Sequence, residues 1–243
     1  VLTSLEKLGT VVDLELEEDT EYATYTLDTQ NITIELRNVT FQYPNAENET
    51  LKNVSLSIAP KQHTLIDGEN GAGKTTLIRS ILGQYIPSSG TIEVAGNNPF
   101  KNRVDTISKV GFVPQLPPPI KLTVEELINF AIHSSNISKK SVVELCLKMD
   151  LDLNEHMKKV FFKLSGGMKQ KLLIAIAIAK NPEIFIFDEP TANLDPKGRE
   201  NFYEIIKEYN KNRLIIFISH RIEEVLNLVN RKIELDLGKV ILD

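Results

Sequence analysis

Apolar residues along this chain follow two rhythms. From residue 31 the pattern is strand-like: Ile32, Ile34 and Leu36 alternate with polar positions, and Val39 and Phe41 continue the series. One face of an extended segment is therefore apolar. A turn over Asn45 to Thr50 follows, and Val54, Leu56 and Ile58 repeat the alternation. Leu65 and Ile66 lead into a glycine-rich turn and a helical stretch from about Lys74 to Gln84; Thr91 to Val94 reads as another strand before a polar loop. Pro117, Pro118 and Pro119 exclude helix and central strand, since proline lacks the backbone donor both need. Beyond them the spacing turns helical, with Val124, Leu127, Ile128 and Ala131 in 123–133 and Val142, Leu145 and Met149 in 139–149. Then come a helix over about 165–180, an apolar strand Ile184 to Phe187, a charged helix over about 197–211, an apolar strand Leu214 to Ile218, and a hairpin turned at Gly238. Strands almost continuously apolar and separated by helices predict a parallel sheet buried on both faces.

Composition narrows the class. At 243 residues, with 42% hydrophobic and 25% charged residues, the chain has enough material for its own core. A net charge of -5 does not suggest a protein that coats nucleic acid, and none is expected as a partner. The longest apolar run, Leu172 to Ala179, is far short of the roughly 20 residues a helix needs to cross a bilayer. The single Cys146 excludes an internal disulfide and a cysteine-based zinc site, and fits a reducing compartment. Leu2, Leu5 and Leu8 read as a short helical turn ended by Gly9, followed by an acidic run from Asp13 to Glu21 that reads as a solvated linker. The chain opens at Val1 without an initiator Met, so it is expected to be part of a longer polypeptide.

Residues 68–75, Gly-Glu-Asn-Gly-Ala-Gly-Lys-Thr, satisfy the phosphate-loop pattern G-x-x-x-x-G-K-[ST] between a strand and a helix. Gly68, Gly71 and Gly73 allow close approach to a phosphate chain, and the exposed N–H groups and helix N-terminus supply positive potential. Lys74 adds a cation for the β- and γ-phosphates, and the Thr75 hydroxyl can ligate Mg²⁺. Asn70, Gly71, Ala72, Gly73, Lys74, Thr75 and Thr76 make up the expected nucleotide-binding run. A second element is the apolar strand that ends in Asp188 and Glu189, at the edge where α/β sheets bind ligands. Asp188 can hold Mg²⁺ through water, and Glu189 can polarise a water for attack on the γ-phosphate.

The third element is Leu164-Ser165-Gly166-Gly167-Met168-Lys169-Gln170. Ser165 can cap the following helix, and Gly166 and Gly167 bare its first N–H groups, making a second anion site. That helix cannot also wrap the phosphates held by the phosphate loop of its own chain. Here the sequence resembles the ABC-type ATPases, whose signature motif this stretch is similar to; the resemblance covers residues 31–243. It implies an α/β P-loop NTPase (RecA-like) core with a mixed sheet, an antiparallel β-rich N-terminal part, and an inserted α-helical subdomain over about 116–170. Residues 1–30 would then be a linker or extension from an upstream membrane domain.

The resemblance assigns further roles. Tyr43 is similar to the aromatic that stacks on adenine, and Gln115 to the glutamine that touches Mg²⁺ or the attacking water. His220 is similar to the switch histidine at the γ-phosphate, which with Lys74 and Glu189 completes the catalytic set. Thr75, Gln115 and Asp188 form the metal set. Ser165, Gly166 and Gly167 would act on a nucleotide held by another chain, and Asn193-Leu194-Asp195 would cross that dimer interface. Met168 stands where many members have Gln, and Pro60-Lys61-Gln62 replaces the usual Gly-Glu turn; neither touches the chemistry.

The implied activity is Mg²⁺-dependent ATP hydrolysis by two ATPase domains, alike or different, closing head-to-tail on two ATP molecules. They would work at the cytoplasmic face of a membrane and drive a transmembrane domain or subunit. The apolar, proline-rich segment 112–132 is the expected docking surface for that partner. A soluble ABC ATPase serving translation, repair or assembly is the alternative. A nucleotide sensor that does not hydrolyse fits less well, because Glu189 and His220 are both present. Residues 1–43 are similar to the joint of fused exporters, whereas Asp188 to Asn193 is more similar to stand-alone subunits, so transport direction and cargo stay open.

Overall fold

The computed structural model describes residues 32–135 and 137–243. The expected acidic linker and short helical turn of the first 30 residues lie outside them. Two sheets organise the rest. Strand β1 (Ile34–Phe41) pairs antiparallel with β2 (Leu51–Ile58) on one side and with β4 (Ser89–Val94) on the other. Its alternation of buried and exposed residues gives this small sheet one apolar face. The second sheet also contains β3 (His63–Asp67), β5 (Val110–Val113), β6 (Ile184–Asp188), β7 (Leu214–Ile218), β8 (Arg231–Asp236) and β9 (Lys239–Leu242). Its order is β5-β6-β7-β3-β8-β9, parallel throughout except for the closing β8–β9 hairpin.

The two-residue period of β6 and β7 divides their apolar runs between two cores. Phe185, Phe187, Ile215 and Phe217 face a core shared with α3 (Val124–Ser135), α4 (Lys139–Lys148), α5 (Gly166–Ala179) and α6 (Pro196–Tyr209). Ile184, Ile186, Leu214, Ile216 and Ile218 face a core shared with the small sheet and α1 (Lys74–Ile81). The central sheet is therefore covered on both faces, as its apolar strands require. Helix α5 is apolar nearly all round because it packs on α4 and on β5 together.

Helix α1 stops at Ile81, short of the expected Gln84, because Gly83 adopts φ +66° and turns the chain out of the helix. The expected polar loop after β4 instead contains a short helix, α2 (Arg103–Ser108), and leads into β5. The segment 112–132 is not a continuous surface: Val113, Val124, Leu127, Ile128 and Ala131 are buried, and only Leu116 and Phe130 among its large apolar side chains are exposed. Its helical spacing was built to face the interior. A last short helix, α7 (Ile222–Val225), follows β7. Cys146 is buried, and burial pushes its thiol up to about 12.

Candidate functional site

The parallel order β5-β6-β7-β3 brings four C-terminal strand ends to one edge. From them emerge Pro114-Gln115, Asp188-Glu189, Ser219-His220 and the glycine loop at residues 68–73. Segments more than a hundred residues apart in sequence thus converge because parallel strands all end on the same side.

The loop after β3 turns through Gly68 (φ +142°) and Gly73 (φ +103°), conformations that side chains rarely adopt. A Cβ on Gly73 would sit 3.0 Å from both the Thr50 carbonyl oxygen and the Leu51 side chain, so the loop is pressed against the start of β2. Gly73 also stands at the N-cap of α1, which has no side-chain cap. The first N–H groups of that helix are left for something outside it. The Lys74 ammonium is buried and donates to the carbonyls of Gly68 at 2.5 Å and Glu69 at 2.9 Å.

A cavity of about 280 Å³ lies above this loop. It is lined by Tyr43, Asn70, Gly71, Gly73, Lys74, Thr75, Thr76, Gln115, Asp188, Glu189 and His220, with Thr50 and Ile218 besides. All the expected nucleotide, metal and catalytic positions meet there except Ala72. The Ala72 amide donates to the Glu69 carbonyl at 3.1 Å inside the turn, and its methyl is buried. Thr50 and Ile218 were not expected. The polar turn at Thr50 carries no motif, and Ile218 reads only as the end of an apolar strand.

Asp188 and Glu189 are both nearly buried, at 5% and 6% exposure. Burial pushes the Asp188 carboxyl above its usual range, and the adjacent Glu189 charge pushes the same way, against the pull of Arg79 and Lys74. Burial likewise raises Glu189, opposed chiefly by His220. Glu189 lies in left-handed backbone (φ +47°), the sort of local strain that functional sites carry. This conformation turns the chain sharply after β6 while its amide still donates to the Ile218 carbonyl at 2.9 Å. The Glu189 carboxylate accepts from the His220 amide at 2.7 Å, and the His220 ring nitrogen Nε2 lies 3.6 Å from the same oxygen. The pair joins the ends of β6 and β7 across the cavity wall.

Ser165, Gly166, Gly167 and Asp195 do not line this cavity. Ser165 caps α5, its hydroxyl accepting from the Met168 amide at 3.2 Å, so the Met side chain leaves the cap intact. Asp195 precedes Pro196 at the start of α6 and pairs with Lys171 at 3.7 Å. Asn193 packs beside both signature glycines and donates to the Gln115 carbonyl at 3.3 Å. Gln170, fully buried on α5, donates to the Pro114 carbonyl at the same distance. Two amide side chains therefore hold the backbone on either side of the Gln115 peptide. The signature turn is tied to the cavity's rim and yet contributes nothing to its lining.

A buried lysine, a free helix N-terminus and a hydroxyl together suit a chain of phosphates, and the buried carboxylates opposite suit a cation and a water. Among the described residues no group of three or more His, Cys, Asp or Glu side chains forms a metal cage, and no helix is long and apolar enough to cross a membrane.

Comparison with known proteins agrees with this chemistry. The family model described as ABC transporter matches residues 51–192. An energy-coupling factor transporter ATP-binding protein, EcfA1 of Mycoplasmopsis synoviae (strain 53), is 37% identical over 203 residues, covering 79% of this chain and 76% of its own. EcfA2 of Clostridium tetani (strain Massachusetts / E88) is 34% identical over 226 residues, covering 87% and 78%. A solved dimeric ATP-binding cassette in a post-hydrolysis state, bound to ADP and Pi, is 28% identical with a TM-score of 0.76, covering 86% of this chain and 97% of that one.

Proposed function

Because the chain belongs to the ABC transporter family, we propose that it is the ATP-binding and ATP-hydrolysing subunit or domain of such a transporter. The observation that carries this reading is the single cavity in which Lys74, Thr75, Asp188, Glu189 and His220 meet while the signature turn stays outside it. Residues 31–243 are taken as one ATPase domain preceded by the extension 1–30. The inserted subdomain is taken over about 116–170, where α3 and α4 lie, although their core continues into α5, α6 and the central strands.

Each side chain then has a task that its surroundings suit. The bared N–H groups of α1 and the Lys74 ammonium bind the β- and γ-phosphates, and Lys74 exchanges its loop carbonyls for phosphate oxygens. Tyr43 offers an aromatic face to the adenine. Glu189 orients the attacking water and takes up its proton, a task helped by a carboxyl whose affinity for protons burial has raised. His220 contacts the γ-phosphate from the end of the neighbouring strand.

The donor set fits Mg²⁺. A magnesium ion takes oxygen ligands, keeps several waters and relies on substrate phosphates, so the absence of a protein cage is no obstacle. Thr75, Gln115 and Asp188 would hold it, and a buried carboxylate pair with raised proton affinity is one that a divalent cation relieves. The chemistry such a cation supplies when bound is neutralisation of charge on the phosphates.

The cavity floor is complete, and its roof would be the Ser165-Gly166-Gly167 turn of a second ATPase domain. Two domains closing head-to-tail would complete two sites, with Asp195 crossing between them. A membrane-embedded partner would meet the exposed Leu116 and Phe130 at the cytoplasmic face and receive the motion through the Gln115 loop. The test is steady-state ATP hydrolysis by the concentrated full chain with Mg²⁺, alone and with its membrane partner. Turnover is expected; ATP binding without turnover in every combination would end the enzyme assignment.

A further inference from the structure

Tyr43 is a half-exposed ring beyond a strand end, and an unsupported side chain there would sample several rotamers. In this chain it is held. Phe41, the last residue of β1, is buried and stacks on Tyr85 with ring centroids 5.2 Å apart and planes 11° apart. Tyr43 stands nearly perpendicular to both, 4.9 Å from Phe41 and 5.5 Å from Tyr85. Its hydroxyl lies 2.9 Å from the Thr76 hydroxyl on α1.

Tyr85 reaches this position through the end of α1. The amides of Gln84 and Tyr85 both turn back to the Arg79 carbonyl, at 2.8 and 3.3 Å. The Arg79 guanidinium donates to the Tyr85 hydroxyl at 2.7 Å. So the hydroxyl and the flank of Tyr43 are both fixed to the helix that carries Lys74, the first through Thr76 and the second through Tyr85. The surface offered to a base and the loop that receives phosphates form one body.

We propose that Tyr85, anchored by Arg79, is a positioning residue for ATP that sets the Tyr43 ring against the phosphate loop and thereby sets the affinity for the base. The proposal rests on the reading of Tyr43 as the adenine platform. Its physical basis is preorganisation: a ring already held in one orientation loses less freedom when the base arrives. Edge-to-face and stacked aromatic contacts supply the hold.

The experiment is an equilibrium titration of the full chain, in EDTA, with ATP and separately with inorganic tripolyphosphate, which has no base. Tyr43→Leu is expected to weaken ATP binding about tenfold or more through lost stacking. Tyr85→Leu is expected to weaken it about fivefold, the scale of one lost aromatic pair, and to leave tripolyphosphate binding within about twofold. Tyr85→Phe keeps the ring and the amide's bond to the Arg79 carbonyl and loses only the hydroxyl's bond to the guanidinium, so it should retain most of the ATP affinity. The Tyr43→Leu/Tyr85→Leu double variant should bind ATP no more weakly than Tyr43→Leu alone.

Wild-type ATP affinity in Tyr85→Leu, equal loss of both ligands, or additive losses in the double variant would each overturn the proposal. Wild-type ATP affinity in Tyr43→Leu would remove the platform reading and the proposal with it. Weakened Tyr43→Leu beside an unaffected Tyr85→Leu removes the proposal alone.

Discussion

Two helices of this chain begin at glycine-rich turns, and their N-termini are built differently. Helix α1 begins at Gly73, with left-handed backbone, no side-chain cap, and a buried lysine beside the open cavity. Helix α5 begins at Ser165, in extended backbone, and its own hydroxyl satisfies the Met168 amide. The first terminus leaves its donors for a ligand, and the second is stable without one. On the proposed reading, α1 supplies the phosphate end of a site within one chain, whereas α5 would present its capped turn to a site on another molecule.

The sharpest way to break this comparison is Lys74→Ala. It should lower ATP hydrolysis at least a hundredfold, the scale of removing one charge-stabilising donor, and should remove the thermal stabilisation that ATP gives the wild-type chain. Unchanged turnover would detach α1 from the chemistry. Next comes Glu189→Gln, with hydrolysis reduced by roughly 10²–10³, as for loss of a positioned general base. ATP binding should persist, and light scattering with excess ATP should find a dimer trapped by the missing step; monomer alone would count against the head-to-tail assembly.

Ser165→Ala probes the second helix. Hydrolysis is expected to fall about tenfold while ATP affinity of the isolated chain holds, together with a stability loss near 1 kcal/mol from the missing cap. A drop in the isolated chain's own ATP affinity would place α5 at the cis site and erase the contrast.

The smallest effect concerns pH. Burial raises the folded-state pKa values of Asp188 and Glu189 above ordinary carboxylate values, so the folded chain binds more protons than the unfolded one within that window. Their stabilising contribution is present below the ordinary range and is lost as pH rises through the raised values. Without nucleotide, Glu189→Gln should therefore melt higher than wild type at neutral pH, by about 2–4 °C if the relief is near 1 kcal/mol. The advantage should shrink as pH falls through the carboxylate range. An advantage that grows at low pH would contradict the assigned direction.

Long apolar patterns were legible before the structure. Strand β7 matches its expected bounds, Leu214 to Ile218, and β6 extends only one residue further to Asp188. Short elements were not. Val110–Val113 is a four-residue strand containing a glycine, too brief to show a period, and its identity comes from pairing with β6. Gly111 is read only in space, where a Cβ would meet Pro182, Phe185 and the Ala177 carbonyl. The expected docking segment 112–132 divides between core and surface, with Val113, Val124, Leu127, Ile128 and Ala131 buried and Leu116 and Phe130 exposed, because amphipathic spacing shows that one helix face is apolar and says nothing about whether a protein core or a partner covers it.

At the site, motif residues were legible because each contributes its own chemistry. Thr50 and Ile218 were not, because they contribute only by position. Ala72 shows the converse, a motif position whose amide the turn itself consumes.

The sequence by itself determined that this chain has a phosphate loop, a carboxylate-ended apolar strand and a second capped glycine turn, since those are properties of neighbouring residues and local backbone chemistry. Only the tertiary structure decided that Tyr43, Lys74, Gln115, Asp188, Glu189 and His220 share one cavity while Ser165 does not. The physical reason is strand order: β5-β6-β7-β3 is fixed by which apolar faces bury together, and that arrangement, invisible along the chain, sets which strand ends meet.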